Sequence, residues 1–386
     1  MSVKTLGEPM NVTSEIWNTP TDYLLARSPD SPVHFFAPSI LQTQAKRFLS
    51  GFNGLVTFAV KANPDPAVIT NLVAAGLQAF DVASPNEIRL LRELAPHASL
   101  HYNNPVRSRT EIRFASEMGV KSFSVDGFNE LAKLQDIIPP SGIEVSVRIK
   151  LPVSGAAYDF GTKFGATPEK AIELLRRVKA IGFLPSMTFH PGTQCEDKMA
   201  WKEYITATAA VSRAAGVPLH RLNVGGGFPC KMANGAPDLE GFFALIDETV
   251  TTQFGEDRPA LVCEPGRAMV AESFSHATRV KSVNDNGDVY LNDGIYGGLS
   301  EFPVLDVARD YAVISASSTP ATQPVSTSIY GPTCDSLDVL PGSLELPSNI
   351  ADDDYVVFQS MGAYVKGVTT DFNGYGQLET VTVLAL

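Results

Sequence analysis

Lys61 ends the apolar, β-prone run Val56-Thr57-Phe58-Ala59-Val60 and is followed by Ala62-Asn63-Pro64. A strand stopped there by Asn-Pro sets an ammonium at the mouth of whatever core the strand builds. Partial desolvation beside apolar walls favours the neutral, nucleophilic amine, the form that makes a Schiff base with a carbonyl. A solvated lysine closing a buried strand has the same local sequence. The chemistry therefore depends on what the rest of the chain brings near it.

The elements that would position Lys61 repeat. A short apolar run ends in a polar residue, and a helical pattern follows. The strand candidates are Val56–Val60, Ala79–Ala83, Ser99–Asn103, Ser122–Asp126, Glu144–Ile149, Ser186–His190, Arg221–Val224 and Ala260–Cys263. Between them lie amphipathic segments, among them Glu87–Leu94, Glu111–Met118, Glu130–Ile138, Pro168–Ile181, Trp201–Ala215 and Leu239–Phe254. Ser84-Pro85-Asn86-Glu87 offers an N-cap serine, a proline at the first helical position and a capping glutamate, and Thr167-Pro168 repeats the first two signals. Gly76, Gly119, Gly182 and Gly216 fall where helices should stop. Eight strand–helix units predict a (β/α)8 barrel, with a doubly wound open sheet as the alternative. After about Ala271 the helical period fades. Runs such as Val289–Leu291, Tyr355–Phe358 and Thr380–Leu384, separated by turn residues, predict a C-terminal antiparallel β-domain. Ser315–Thr327 reads as a solvated loop. The chain divides into an N-terminal arm packing on the β-domain (1–34), the barrel (35–270) and the β-domain (271–386).

Active sites of such barrels sit at the C-terminal strand ends. Those ends read Lys61, Asp81, Asn103, Asp126, Arg148, His190, Gly225-Gly226-Gly227 and Glu264. Singly, each has a plain explanation. Asp81 can cap a helix, Arg148 can form a rim ion pair, and a lone histidine is more often structural than chemical. Three consecutive glycines let backbone N–H groups curl into an anion nest, although they also make an ordinary flexible turn. Glu264-Pro265-Gly266-Arg267 adds another glycine and a cation on the same side. A phosphate nest facing a Schiff-base lysine points to pyridoxal 5′-phosphate (PLP). Glu264 then has a role, because a carboxylate against the pyridine nitrogen keeps it protonated, and His190 can stack on the ring.

With these residues in place, the chain resembles the fold-type III PLP-dependent decarboxylases, the group of ornithine, lysine and diaminopimelate decarboxylases. The resemblance runs from about Phe58 to Tyr375. It rests on Ala59-Val60-Lys61-Ala62-Asn63-Pro64, Phe80-Asp81-Val82-Ala83-Ser84, His190-Pro191-Gly192-Thr193-Gln194, Gly225-Gly226-Gly227-Phe228-Pro229 and Glu264-Pro265-Gly266-Arg267. It continues through Asn292-Asp293-Gly294-Ile295-Tyr296-Gly297, Gly331-Pro332-Thr333-Cys334-Asp335, Gly362-Ala363-Tyr364 and Phe372-Asn373-Gly374-Tyr375. It implies an alanine racemase-like barrel that binds PLP through Lys61, with Asp81 and Arg148 lining the pocket and His190 on the ring. Thr193 stands where the family has a phosphate-contacting serine. Gly225, Gly226, Gly227, Gly266 and Arg267 would hold the phosphate with Tyr364, and Glu264 would pair with the pyridinium. Family members are head-to-tail homodimers with shared sites, so Cys334 and Asp335 would reach the partner's pocket. Cys334 would protonate the substrate Cα, a role that suits a thiol because ordinary thiols are mostly protonated at neutral pH. Asp335, with Tyr296 and Phe372, would bind the substrate.

Substrate choice turns on Asp335. In ornithine and lysine decarboxylases an aspartate here meets the distal ammonium. Diaminopimelate enzymes usually carry glutamate and an arginine in the β-domain. Past Arg267 the chain has Arg279 and Arg309, neither in that family's Arg-Pro context. A basic amino acid without a distal carboxylate is expected, ornithine or lysine, giving putrescine or cadaverine. Diaminopimelate decarboxylation, amino-acid racemisation and a non-catalytic PLP-binding homologue are the rival readings. The chain departs from the family in His190-Pro191-Gly192 for His-Val-Gly and in Ala62 for a frequent cysteine. The eukaryotic ornithine enzymes have a second distal-amine aspartate. Glu301 and Asp306 lie near its place, but neither aligns without a gap. Pro152–Thr167, with Gly155, Gly161 and Gly165, has the composition of a lid, or plainly of a long loop.

The totals agree with this reading. A net charge of −12 argues against nucleic acid or an anionic membrane as partner. Cys195, Cys230, Cys263 and Cys334 form no Cys-x-x-Cys pair, so neither a disulfide framework nor a metal site is expected. With no apolar leader or spanning run, a cytoplasmic enzyme of diamine supply is the expectation.

Overall fold

Nine short parallel strands form one ring in a computed structural model that describes residues 15–152, 157, 163–305 and 310–386. The order is Leu55–Val56, Ala260–Cys263, Arg221–Asn223, Leu184–Thr188, Glu144–Arg148, Ser122–Val125, Ser99–Tyr102, Ala79–Val82 and Phe58–Ala59. The two end strands are consecutive pieces of one segment. Thr57 between them bonds Cys263 O through both its N–H and its hydroxyl, at 2.9 and 3.0 Å. This is the expected barrel, with its first strand in two pieces, and the open sheet is excluded. The strands carry Val, Leu and Phe buried on both faces, as a parallel sheet wrapped by helices requires.

The strand ends that carry Lys61 and His190 fall short of the sequence expectation. The first strand stops at Ala59, and Val60–Ala62 is a 3₁₀ turn that carries Lys61. His190 lies two residues past the strand Leu184–Thr188. The helix signals behave as their chemistry dictates. The Ser84 hydroxyl accepts from Glu87 N, and the Glu87 carboxylate turns back to accept from Ala83 N at 2.7 Å. Pro168–Ile181 begins on the Thr167 cap and ends on Gly182 at φ 97°. Pro20–Arg27 in the expected arm is a helix, capped by Thr19.

A second sheet follows the barrel. Phe274–Val283 pairs antiparallel with Val33–Phe36, Tyr355–Phe358 and Val289–Leu291. The sheet also holds two parallel pairings, Val33–Phe36 with Glu379–Thr382 and Val289–Leu291 with Ile329–Tyr330. The N-terminal segment thus supplies a strand to the β-domain. The segment read as a solvated loop ends in a strand, Pro324–Thr327, paired with Leu344–Pro347. The lid candidate lies mostly outside the described residues, as do Asp306 and Arg309. No helix among the described residues is long and apolar enough to cross a membrane.

Candidate active site

The C-terminal rim of the barrel opens into a cavity of about 210 Å³ lined by Lys61, Asp81, Asn103, Arg148, His190 and Glu264, with Phe164 on its wall. Lys61, His190 and Glu264 also line a narrower extension that reaches Thr193, Gly227, Gly266, Arg267 and Tyr364. Residues expected from the strand ends are therefore brought together around one space. Gly225 and Gly226 lie behind it and carry the turn. Gly225 (φ 72°) and Gly227 (φ 85°) have the left-handed backbone that favours glycine. A Cβ on either would strike a carbonyl oxygen, of Phe189 and of Gly192 respectively. The turn packs as a fixed cradle rather than as a flexible connection.

The electrostatics differ from the apolar setting expected for Lys61. Its side chain is accessible through the cavity, with dense protein around it. Burial is the largest single influence and pulls its pKa down. Tyr364, Asp81 and Glu264 together outweigh burial and Arg148, so the ammonium is held above its ordinary value. Asp81 is pushed well above the carboxylate range by burial and by Glu264, against Lys61 and Arg148. Its Oδ1 is buried with no hydrogen-bond partner among the described residues. Burial, then Lys61 and Arg148, drive His190 far below 6.5, so its imidazole is neutral. Gly192 N–H donates to its Nδ1 at 3.1 Å, which leaves the proton on Nε2. The ring lies against Gly226 and Gly227.

Arg267 has a partner that the sequence did not reveal. Its guanidinium forms a two-pronged ion pair with Glu301 at 2.6 and 2.5 Å and sits 5.0 Å from the Tyr364 ring centre. Its Nε is buried with no hydrogen-bond partner among the described residues. Asn223, also unassigned from sequence, and Asn103 both donate to Glu264.

Cys334, Asp335, Tyr296 and Phe372 line neither space. They form a patch on the β-domain. The Tyr296 hydroxyl donates to Asp335, and the Tyr296 and Phe372 rings pack 4.8 Å apart. The Cys334 thiol donates to Asn373 Oδ1 at 3.2 Å and is exposed. The tyrosine hydroxyl and Leu337 N–H hold the Asp335 carboxyl below its usual range, so it is ionised at neutral pH.

Residues 39–271 match the family model for the pyridoxal-binding domain of pyridoxal-dependent decarboxylases. The chain belongs to this family. Its relatives include mouse ornithine decarboxylase, 31% identical over 82% of this chain and 73% of that protein. Lysine/ornithine decarboxylase of Selenomonas ruminantium is 30% identical over 84% of this chain and 82% of that one. The crystal structure of the Paramecium bursaria Chlorella virus arginine decarboxylase superposes with a TM-score of 0.84 at 25% identity, over 94% of this chain and 98% of the other. This decarboxylase is a PLP enzyme, and its cavity has the donor set that PLP needs. There is an amine for the aldehyde, a buried carboxylate for the ring nitrogen and a neutral imidazole for the ring face. A glycine cradle with a buried, partly unpaired arginine is suited to the phosphate.

Proposed function

We propose that this decarboxylase acts on a small basic amino acid, ornithine or lysine, and releases the diamine and carbon dioxide. In this reading it works as a homodimer. Each site takes Lys61 and the cradle from one copy and Cys334, Asp335, Tyr296 and Phe372 from the other. The observation that carries the substrate class is Asp335, an ionised carboxylate on an exposed patch, held by the Tyr296 hydroxyl. Its place in the chain fits a distal ammonium. Arg279 on the same domain is committed to Asp353 at 2.8 Å, which disfavours a distal carboxylate and hence diaminopimelate. The barrel at 35–270 and the β-domain at 271–386 correspond to the two contributions, with the arm at 1–34 tied to the second. A cytoplasmic setting and a role in diamine supply go with this reading.

Bound PLP supplies an electron-withdrawing ring for the electron pair left at Cα when carbon dioxide departs. The protein's residues do the rest. Lys61 holds the cofactor and must lose its proton to do so, because its acidic neighbours keep it charged. Glu264 keeps the ring nitrogen protonated. His190, neutral and braced by Gly192, fixes the ring plane. Thr193, Gly227, Gly266, Arg267 and Tyr364 hold the phosphate, with Gly225 and Gly226 shaping the turn. Asp81 and Arg148 set the charge around Lys61. Cys334 of the second copy delivers a proton to Cα, and Asp335 holds the far amine.

Carbon dioxide release with added PLP, measured on ornithine, lysine, arginine and diaminopimelate, tests this reading. The highest kcat/KM is expected on ornithine or lysine. A preference for diaminopimelate would overturn the role of Asp335. Racemisation without carbon dioxide would overturn the whole reading.

A further inference from the structure

Glu264 is held by two amides on the same oxygen. Asn103 Nδ2 and Asn223 Nδ2 both donate to its Oε1. No described residue hydrogen-bonds Oε2, and Glu264 lines both parts of the cavity. All three residues are buried. The two residues are anchored independently, Asn223 through its side chain and Asn103 through its backbone. Asn223 Oδ1 accepts the Gly225 N–H at 2.9 Å, which fixes the amide with its NH₂ toward Glu264. Glu264 N–H in turn donates to Gly225 O at 2.8 Å. Asn103 comes from the opposite side of the ring, where its backbone carbonyl accepts the Ser124 hydroxyl at 2.7 Å.

A buried carboxylate next to Asp81 tends to take up a proton, and a protonated Glu264 would not keep a pyridine nitrogen charged. Donors aimed at the carboxylate oppose this. Neutral amides do so without adding a charge that would attract the substrate carboxylate. We infer that Asn103 and Asn223 are positioning residues that keep Glu264 ionised and present its Oε2 to the cavity. Asn223 also couples that carboxylate to the phosphate-cradle turn through Gly225. The inference rests on the reading that Glu264 serves the cofactor ring nitrogen.

The test is a double-mutant cycle on PLP affinity, measured by titrating the cofactor-free chain, together with a pH titration of the bound cofactor's absorbance. Asn103→Ala should weaken PLP binding by about tenfold, as for loss of a hydrogen bond to a charged group. It should also move the acid transition of the absorbance to higher pH. Asn223→Ala should cost more, since it also frees the Gly225 turn. In a Glu264→Gln background the Asn103→Ala effect should disappear. Asn103→Asp keeps the shape and replaces the donor, and should weaken binding at least as much. Thermal unfolding of the cofactor-free variants checks that they are folded. If Glu264→Gln weakens PLP binding while both Asn103 variants leave affinity and acid transition unchanged, the clamp is refuted. If Glu264→Gln itself changes neither, the assignment of Glu264 fails and takes the clamp with it.

Discussion

The Lys61 rim and the Cys334–Asp335 patch are built in opposite ways. The rim is crowded, with Asp81 and Glu264 buried, Lys61, Arg148 and His190 reaching into the cavity among them, and the glycine turn locked between two strand ends. The patch is more open, with Cys334 and Phe372 exposed and Tyr296 and Asp335 half-buried. Its order comes from a few side-chain bonds, Tyr296 to Asp335 and Cys334 to Asn373, around a residue with positive φ at Asn373. In the proposed reading the rim holds the cofactor, and among the described residues the carboxylate for the far end of a basic substrate is the patch's Asp335. The patch carries that carboxylate and a thiol and lines neither part of the barrel cavity. A pre-organised half tolerates little change, because every buried charge there depends on another. An open half gains its shape from what it docks against, so its residues should affect turnover more than folding.

Variants can break this contrast, in falling order of effect. Lys61→Ala should remove the absorbance of protein-bound cofactor and lower turnover on the order of 10⁴-fold, as when a covalent catalyst is lost. A retained band near neutral pH would show that another group holds the cofactor. Asp335→Ala should lower kcat/KM on the basic substrate by about 10²-fold, the scale of one lost partner in a desolvated charge pair. PLP affinity and thermal stability should stay unchanged. Weaker PLP binding in that variant would mean that the patch belongs to the cofactor half. Glu301→Gln sharpens the link between the domains. The cofactor-free chain should lose about 1–3 kcal/mol, because buried Arg267 loses its ionic partner. Added PLP should then stabilise it more than wild type, since Arg267 is freed for the phosphate. A smaller gain would mean that Glu301 holds Arg267 in its working position.

Much of this was legible in sequence where the controlling physics is local. Pro168–Ile181 and Leu239–Phe254 have the observed ends because caps and breakers act within a few residues. The same Thr-Pro signal stands at Thr19-Pro20, where it starts a helix inside the segment assigned to an arm. The strand Pro324–Thr327 hid in Ser/Thr/Pro composition because its first three residues are exposed and need no apolar alternation. The site residues were legible as strand ends, since a barrel converts the sequence order of those ends into one rim. Their mutual charges were not. Apolar walls alone would drive Lys61 neutral, and Tyr364, Asp81 and Glu264 together reverse that. The amide pair on Glu264 and the ion pair of Arg267 with Glu301 join residues 34 to 161 positions apart, beyond the reach of any local pattern.

The central claim, two unlike halves that make one site between two copies, is tested most directly by mixing two inactive variants. Lys61→Ala and Cys334→Ala chains, each carrying a different tag so that mixed dimers can be isolated, should regain carbon dioxide release on combination. One of the two sites in each mixed dimer then has an intact lysine and an intact thiol. Isolated mixed dimers with no more activity than either parent would contradict the account.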